Sequence, residues 1–400
     1  MGHEINDSEW FSLITQLSEN HVTMLNRQFS NEEIEKAVFS MKGMKSPGPN
    51  DTPPSFFHSL WDKTNQDVCH AIHSFFAGGY MLSETDRTFI ALIPKTARPE
   101  STAQFRPIGL CNALYKIISK TMVLRLKTIV SDIVGDFQNA FVQGRLLVDN
   151  CLLAHEMMNF VKKRKKGIEF MGILKIDFNK VYDRIRWDFV EKNRQKVSSP
   201  TVAFVKKTPS PVSLHSMYGG PVKKMIALQD SGEIKGLKIG RRAPRINHLF
   251  FADGPLFFFK ATPDSCSKLR TALDEFATLS GEVVSLENSF IIFFPNTPST
   301  FVRFMRKPLG VKNRATLGTY LGCPMDIDGR SSSKFDFLYE RMVKKTSSWK
   351  FNNLSQAGKL LLINSIIIAL SSHVLATYML PKKEPYDKPL HSVFLEFISR

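Results

Sequence analysis

The sequence predicts an α+β chain, and three observations carry that prediction. Apolar residues recur at helical spacing over several long segments. Between them lie short, near-continuous apolar runs of strand length. Two of those runs, "ILKIDF" and "FFADG", end in an acid. The chain has 400 residues, 43% of them hydrophobic, which is ample for a buried core and suggests two or three domains or subdomains.

The elements follow in order. "SNEEIEKAVFSMKG" reads as a helix: Ser30 and Glu33 have capping-box spacing, and Ile34, Ala37, Val38 and Met41 make one apolar face. "KSPGPNDTPP" breaks it with a rigid loop. "QDVCHAIHSFFAGG" is a second amphipathic helix, closed by Gly78–Gly79. "FIALIPK" is a strand; "NALYKIISKTMVLRLKTIV" and the stretch from Asp149 to Lys163 are longer helices. "EFMGILKIDF" suits a buried strand whose end faces a site. Residues 199–223 are rich in Pro, Ser and Lys and have no sustained period. "IGRRAPRINHLFFADGPLFFFK" gives strand, turn, strand. "DSCSKLRTALDEFATLSG" is a helix with Leu269, Leu273 and Phe276 on one face, and the C-terminal fifth is mainly helical.

Lys and Arg number 54 against 37 Asp and Glu, a formal charge of +17. An excess that large favours polyanionic partners, nucleic acid first and an acidic membrane surface second. Cys69, Cys111, Cys151, Cys266 and Cys323 are scattered without CxxC or zinc spacing, and read as reduced thiols of an intracellular, cytoplasmic or nuclear protein. "MGHEINDSEW" has neither the basic nor the apolar region of a signal peptide. "LLLINSIIIALSSHVLATYML" has the length of a membrane span, but Asn364, Ser365, Ser371, Ser372 and His373 interrupt it; it reads as a buried core helix, and no membrane partner is expected. "VKKRKKG", with Lys162 to Lys166, is either a solvated helix end or a polyanion patch.

Asp253 stands inside a run of phenylalanines, "HLFFADGPLFFF". A buried carboxylate costs several kcal/mol unless paired, hydrogen-bonded or bound to metal. It is therefore either solvated at a hairpin tip or a metal ligand. Strands ending in Asp177 and Asp253, laid side by side, bring both carboxylates to one sheet edge. Mg²⁺ relieves the repulsion between them, and two such ions serve in-line attack on phosphorus. Acids also end strands for turn reasons alone, so spacing by itself does not decide.

"FRPIGLCNALYKIISK", "QNAFVQGRLLVDN", "LKIDFNKVYDRIRWDFV" and "FFADGPLFFF", in that order, closely resemble the reverse transcriptase of LINE-type (non-LTR) retrotransposons of plants. The resemblance extends through "KSPGPND" and "IALIPK" upstream and "YLGCPM", "WKFNNLSQAGKLLLINS" and "YMLPKK" downstream. It implies a right-hand polymerase fold with fingers, an antiparallel palm sheet and a helical thumb. The boundaries expected from it are an N-terminal helical extension over 1–75, fingers and palm over 76–325, and a thumb region over 326–400. It implies RNA-directed DNA synthesis from deoxynucleoside triphosphates on an RNA template and a DNA primer, with two Mg²⁺ ions or with Mn²⁺. Asp177 and Asp253 match the metal-holding, catalytic acids. Tyr182 matches the residue that excludes a ribose 2′-hydroxyl, and Lys95 and Arg106 match cations that grip the triphosphate. Tyr320, Leu321 and Gly322 match the hairpin that holds the primer end. Asp183, Gly144 and Arg145 fall in motifs whose roles the resemblance states less specifically.

The chain also departs from the family. Gly254 stands where the family has a second turn acid, so one metal-site carboxylate is missing. The glycine suits a tight turn, while Pro255 removes a backbone donor where the hairpin returns. In place of a Gln-Gly-Asp segment the chain has "TPSPVSLHSM", so the helix there is expected to start badly or not at all. Ser285 and Asn288 replace an Asn and a Lys, the latter implied to protonate the pyrophosphate leaving group. Neither an endonuclease nor an RNase H region flanks the polymerase motifs, as expected of a degenerate or truncated copy. The expectation is a reverse transcriptase with lost or strongly reduced activity; the alternative is a non-catalytic nucleic-acid-binding remnant.

Overall fold

The computed structural model describes residues 10, 18–78, 81–135, 137–139, 142–163, 169–178, 186, 222–240, 242–251, 254–325, 336–347, 355 and 368–378. Asp253, Tyr182, Asp183, most of 199–223, most of the "VKKRKKG" run and the first part of the long apolar C-terminal segment lie outside these residues.

Helices α1 (Glu19–Asn26), α2 (Asn31–Phe39), α3 (Pro54–Ser59) and α4 (Trp61–Gly78) lead the chain. The capping box of α2 forms as expected: Ser30 Oγ accepts from Glu33 N, and Glu33 Oε2 accepts from Ser30 N. A one-turn helix, α5 (Ser83–Asp86), precedes an antiparallel ribbon of β1 (Thr88–Pro94) and β2 (Phe105–Cys111). Then come α6 (Ala113–Ile133) and α7 (Leu147–Lys163).

The central sheet is built from β3 (Met171–Lys175), β4 (His248–Leu249), β5 (Leu256–Lys260), β6 (Phe290–Phe293) and β7 (Lys312–Asn313), in the order β4-β5-β3-β6-β7. All its pairings are antiparallel except β6 with β7. Helix α8 (Pro263–Ser280) joins β5 to β6, and α9 (Ser299–Leu309) joins β6 to β7. A two-residue hairpin, β8 (Thr319–Tyr320) with β9 (Cys323–Pro324), follows, and then α10 (Asp336–Ser347) and α11 (Ile368–Thr377).

Both faces of the central sheet are covered, which is why its strands read as continuous apolar runs rather than alternating ones. Leu174, Ile176, Phe257, Phe259, Ile291 and Phe293 face one core, shared with α2, α4, α6, α8 and α9. Ile173, Leu256, Phe258, Phe290 and Ile292 face the other, shared with α7, α11 and the β8–β9 hairpin. Gly172, in "FMGIL", makes this possible: a Cβ there would meet the Phe259 ring at 3.1 Å.

The expectation about "TPSPVSLHSM" falls on residues outside the described ones. Residues 222–230 are helical, with Val222 and Met225 buried in the first core. The helix that follows is held by these apolar side chains against the sheet. No helix of the described residues is long and apolar enough to cross a membrane.

Candidate active site

The site begins with what fixes Asp177. Strand β3 pairs with β5 through Lys175 and Leu256, and the register continues past the strand end: Ile176 N donates to Pro255 O at 3.1 Å. Continued one residue past the Ile176–Pro255 bond, the same register leads to Asp177 on one strand and Gly254 on the other. On the other side, Asp177 N donates to Ser289 Oγ at 3.0 Å and Asp177 O accepts from Ser285 N at 2.8 Å. Phe178 then bridges to Val284. The backbone of Asp177 is therefore held from both flanks, while its side chain is only half-buried. By strand alternation the acid lies on the sheet face of Met171 and Ile173, the face covered by α7 and the β8–β9 hairpin.

Gly254 corrects the expectation about its turn. Its φ is not left-handed, so the turn does not require glycine. Among the described residues, a Cβ added there would meet only the Phe251 carbonyl, at 3.9 Å. The position has both the backbone and the space for a side chain. Pro255 behaves as expected. Ile176 and Pro255 form a hydrogen-bonded pair in which the reciprocal bond is missing, because proline has no N–H.

A layer of buried polar side chains lies behind β4, and sequence reasoning missed it. Asn139 Nδ2 donates to Asn150 Oδ1 at 2.7 Å, and Asn150 Nδ2 donates to Phe250 O at 2.9 Å. Phe250 N donates to Phe137 O, and Gln138 bridges Phe250 in parallel. The "QNAFVQGR" segment is thus stitched to the chain just before the acidic turn. Asn247 Nδ2 donates to Met225 O at 2.6 Å, which aims its Oδ1 at His248 Nδ1, 2.5 Å away. His248 must then carry its proton on Nδ1. Burial pushes its pKa down to about 4, so the ring is neutral near pH 7. The only signal in the sequence was polar residues inside otherwise apolar motifs.

The remaining expected residues fall in three places. Lys95 and Arg106 lie on the β1–β2 ribbon, both exposed. Arg106 pairs with Ile93, two residues from Lys95, so the two cations share one face of the ribbon. Leu321 (φ +50°) and Gly322 (φ +81°) form the left-handed turn of the β8–β9 hairpin, a geometry that favours glycine and asparagine and that leucine adopts at a cost. Tyr320 corrects the expectation for that motif. It is buried in the core with its hydroxyl unpartnered among the described residues, and burial raises its pKa. Only the Leu321–Gly322 turn of this motif is accessible. Gly144 (φ +82°) is exposed. Arg145 instead ties structure together: its guanidinium donates to the carbonyls of Gly135 (2.5 Å), Gln138 (2.7 Å) and Val134 (3.3 Å), closing the end of α6. Asn288 is exposed and Ser285 buried beside Asp177.

Among the described residues, no group of three or more His, Cys, Asp or Glu is arranged to hold a metal ion. The fit to a divalent cation therefore rests on the chemistry of the donors. Asp177 offers hard carboxylate oxygens on a fixed backbone, and Asp253 is the acid of the separate "FFADG" run. Mg²⁺ sites on nucleotide enzymes use one or two carboxylates, waters and substrate phosphates, so two carboxylates fit one ion and fall short of a full set for two.

The model of the family described as reverse transcriptase (RNA-dependent DNA polymerase) matches residues 93–324, more than half of the chain. The match runs from the end of β1 to the β8–β9 hairpin and includes Lys95, Arg106, Asp177 and Leu321–Gly322. The Transposon TX1 uncharacterized 149 kDa protein of Xenopus laevis is 27% identical over 169 residues. That alignment covers 42% of this chain and 13% of the relative, which is a much longer protein. The match covers the central sheet and the strand-end acid alike: the chain belongs to the reverse transcriptase (RNA-dependent DNA polymerase) family.

Proposed function

We propose that this chain is the RNA-directed DNA polymerase domain of a LINE-type element whose catalytic power is lost or strongly reduced. In this reading the five-stranded sheet is the palm, the β1–β2 ribbon belongs to the fingers, and α10 and α11 belong to the thumb. Asp177 and Asp253 would hold the divalent cation. When bound, such an ion favours ionisation of a primer 3′-hydroxyl and offsets charge on the pyrophosphate leaving group. Lys95 and Arg106 would grip the triphosphate, the lysine as a point charge and the arginine as a planar fork. Tyr182 would exclude a ribose 2′-hydroxyl, and the Leu321–Gly322 turn would seat the primer end.

The observation that carries this reading is the anchored backbone of Asp177 at the end of β3, whose register with β5 runs on toward Gly254. That backbone is held by bonds from Ser285 and to Ser289, which supports a strand end kept in place for this acid. At Gly254 the family's other turn acid is absent. Mg²⁺ demands near-ideal octahedral placement, and losing one anionic ligand weakens both affinity and geometry. Asn288, standing where the family has a lysine, leaves the pyrophosphate without that general acid. The same feature favours a second reading, a nucleic-acid-binding protein without catalysis: charge of +17 persists while one carboxylate does not.

Primer extension on an RNA template with a DNA primer separates the two. Purified protein is assayed with Mg²⁺ and then with Mn²⁺, beside Asp177→Asn. Weak extension above the Asp177→Asn background supports the polymerase reading. Extension at the rate of a fully competent polymerase contradicts the loss of activity. No extension, with retained binding of template–primer, favours the second reading.

A further inference from the structure

Two thiols meet where α7, the β8–β9 hairpin, α10 and α11 converge. Cys151 stands on α7 and Cys323 on β9, and both are fully buried in the second core. Cys151 Sγ lies 4.0 Å from Tyr320 O. Tyr320 pairs directly with Cys323 across the hairpin, and directly paired residues carry their side chains on one face. The Cys151 thiol accordingly reaches Cys323, to which it is hydrogen-bonded. Cys323 Sγ also lies 3.8 Å from Thr377 Oγ1, on α11. From α10, Arg341 Nη1 donates to Gly322 O at 3.5 Å, which brings its charge near Cys323. Tyr378 Oη donates to Pro324 O at 2.5 Å and fastens the end of α11 to β9.

The two sulfurs have different surroundings. Donation from the Cys151 thiol holds Cys323 below the ordinary thiol value against the opposing effect of burial, with help from Thr377 and the Arg341 guanidinium. Cys151, the donor of that bond, is pushed up, and burial adds to the effect. Cys323 thus has the surroundings of a nucleophile, with a second thiol beside it. Burial pushes the Cys69 and Cys266 thiols up. Access to Cys323 comes through the hairpin. It is held by two residue pairs, and its turn carries Leu321 at φ +50°, so it opens at low cost.

We propose that Cys151 and Cys323 form a redox modification site, a dithiol that a hydroperoxide converts to a disulfide tying α7 to the β8–β9 hairpin. The Cys323 thiolate attacks one peroxide oxygen. The O–O bond breaks, the other oxygen leaves as hydroxide and takes up the proton that Cys323 released, and Cys323 becomes a sulfenic acid. Cys151 then attacks that sulfur. The S–S bond forms, the S–O bond breaks, and the departing hydroxyl leaves as water with the Cys151 proton. Both sulfurs are oxidised, and the peroxide is reduced to water. A small-molecule dithiol reverses the change by exchange. Oxidation fixes the Leu321–Gly322 turn against α7. The linkage stands independently of polymerisation; only its consequence for seating a primer end rests on the function proposed above.

Mass spectrometry of the reduced, folded chain after treatment with hydrogen peroxide tests this, with remaining thiols alkylated and the digest kept non-reducing. The expected product is a peptide pair linked through Cys151 and Cys323, reversed by dithiothreitol. Cys151→Ser is expected to leave Cys323 as a sulfenic acid that dimedone traps, and Cys323→Ser to leave Cys151 reduced. Amide exchange across 319–323 is expected to slow at least about fivefold in the oxidised chain. The parent needs no substitution, so its product decides even where a serine variant fails to fold. Four results overturn the proposal. Cys111, the most exposed of the five thiols, could oxidise while Cys151 and Cys323 stay reduced. The linkage could form only in denaturant. Dimedone could trap Cys151 in place of Cys323. Exchange across the hairpin could be the same with the linkage as without it.

Discussion

Removal of Arg125 should release the N-terminal helices from the rest of the fold. Arg125 projects from α6 with its side chain only 3% exposed. Its Nε donates to Glu33 Oε1 at 3.2 Å and its Nη2 to Glu33 Oε2 at 2.6 Å. Further donations reach the carbonyls of Leu25, Arg27 and Gln28 at the end of α1 and the start of the next loop. The guanidinium also lies over the Phe29 ring at 3.5 Å. One side chain thus ties α1, the loop and α2 to α6. Breaking a buried pair from one side costs 3–5 kcal/mol. Glu33 keeps some solvent contact, its side chain being 29% exposed, so the lower end applies, about 3 kcal/mol. Local opening of α1 and α2 then rises about 100-fold. Amide hydrogen exchange across 19–39 in Arg125→Met measures it. Arg125→Lys should fall between, because an ammonium cannot form the fork. Exchange in Arg125→Met within twofold of the parent would refute the reasoning.

The same pair sets a pH dependence. Burial raises the Glu33 pKa, but hydrogen bonds from Arg125 and from Ser30 N outweigh it and hold the carboxyl below its ordinary value of 4.5. The resulting stability is fully present above that value and is lost as pH falls through the depressed one. Protection of α2 should therefore fade in acid, and Arg125→Met should remove most of that pH dependence. His248 works in the same direction. Its folded pKa is about 4 against 6.5 unfolded, so stability falls as pH drops between those values, by about 3 kcal/mol in all, and chemical denaturation of His248→Phe should show a flatter profile there. Gly322→Ala, at φ +81° in the β8–β9 turn, should cost about 1–2 kcal/mol in thermal or denaturant melts; an unchanged midpoint would argue against the left-handed turn. Arg145→Ala strips donors from three carbonyls and should cost about 2 kcal/mol.

Much of the fold was legible because local and global signals agreed. The capping box of α2, the apolar runs of β3 and β5, and the helix closed by Gly281 all formed where periodicity and caps put them. The acid at the end of "ILKIDF" was legible for the same reason: it is the first residue past a doubly covered strand pair that needs no apolar partner. The buried polar layer of Asn139, Asn150, Asn247 and His248 was not, because its partners are backbone carbonyls up to a hundred residues away in sequence. Tyr320 misled for a related reason. Its motif marks a hairpin, but strand alternation, which a three-residue motif does not reveal, turns the ring into the core and leaves the turn outside. Gly254 was read as a turn glycine from its neighbours, whereas its backbone lies outside the left-handed region.

That last point supplies the most direct test of the central claim, that a polymerase site survives here short of one carboxylate. Gly254→Asp restores the family's second turn acid at a position where, among the described residues, a Cβ meets nothing closer than 3.9 Å. The measurement is primer extension on an RNA template by the parent, Gly254→Asp, and Gly254→Asp with Asp177→Asn. The account predicts that Gly254→Asp raises the extension rate about tenfold or more, equivalent to about 1.4 kcal/mol at the barrier. It also predicts that the added Asp177→Asn abolishes the gain. A folded Gly254→Asp variant that extends no faster than the parent, or one whose gain survives Asp177→Asn, would contradict it.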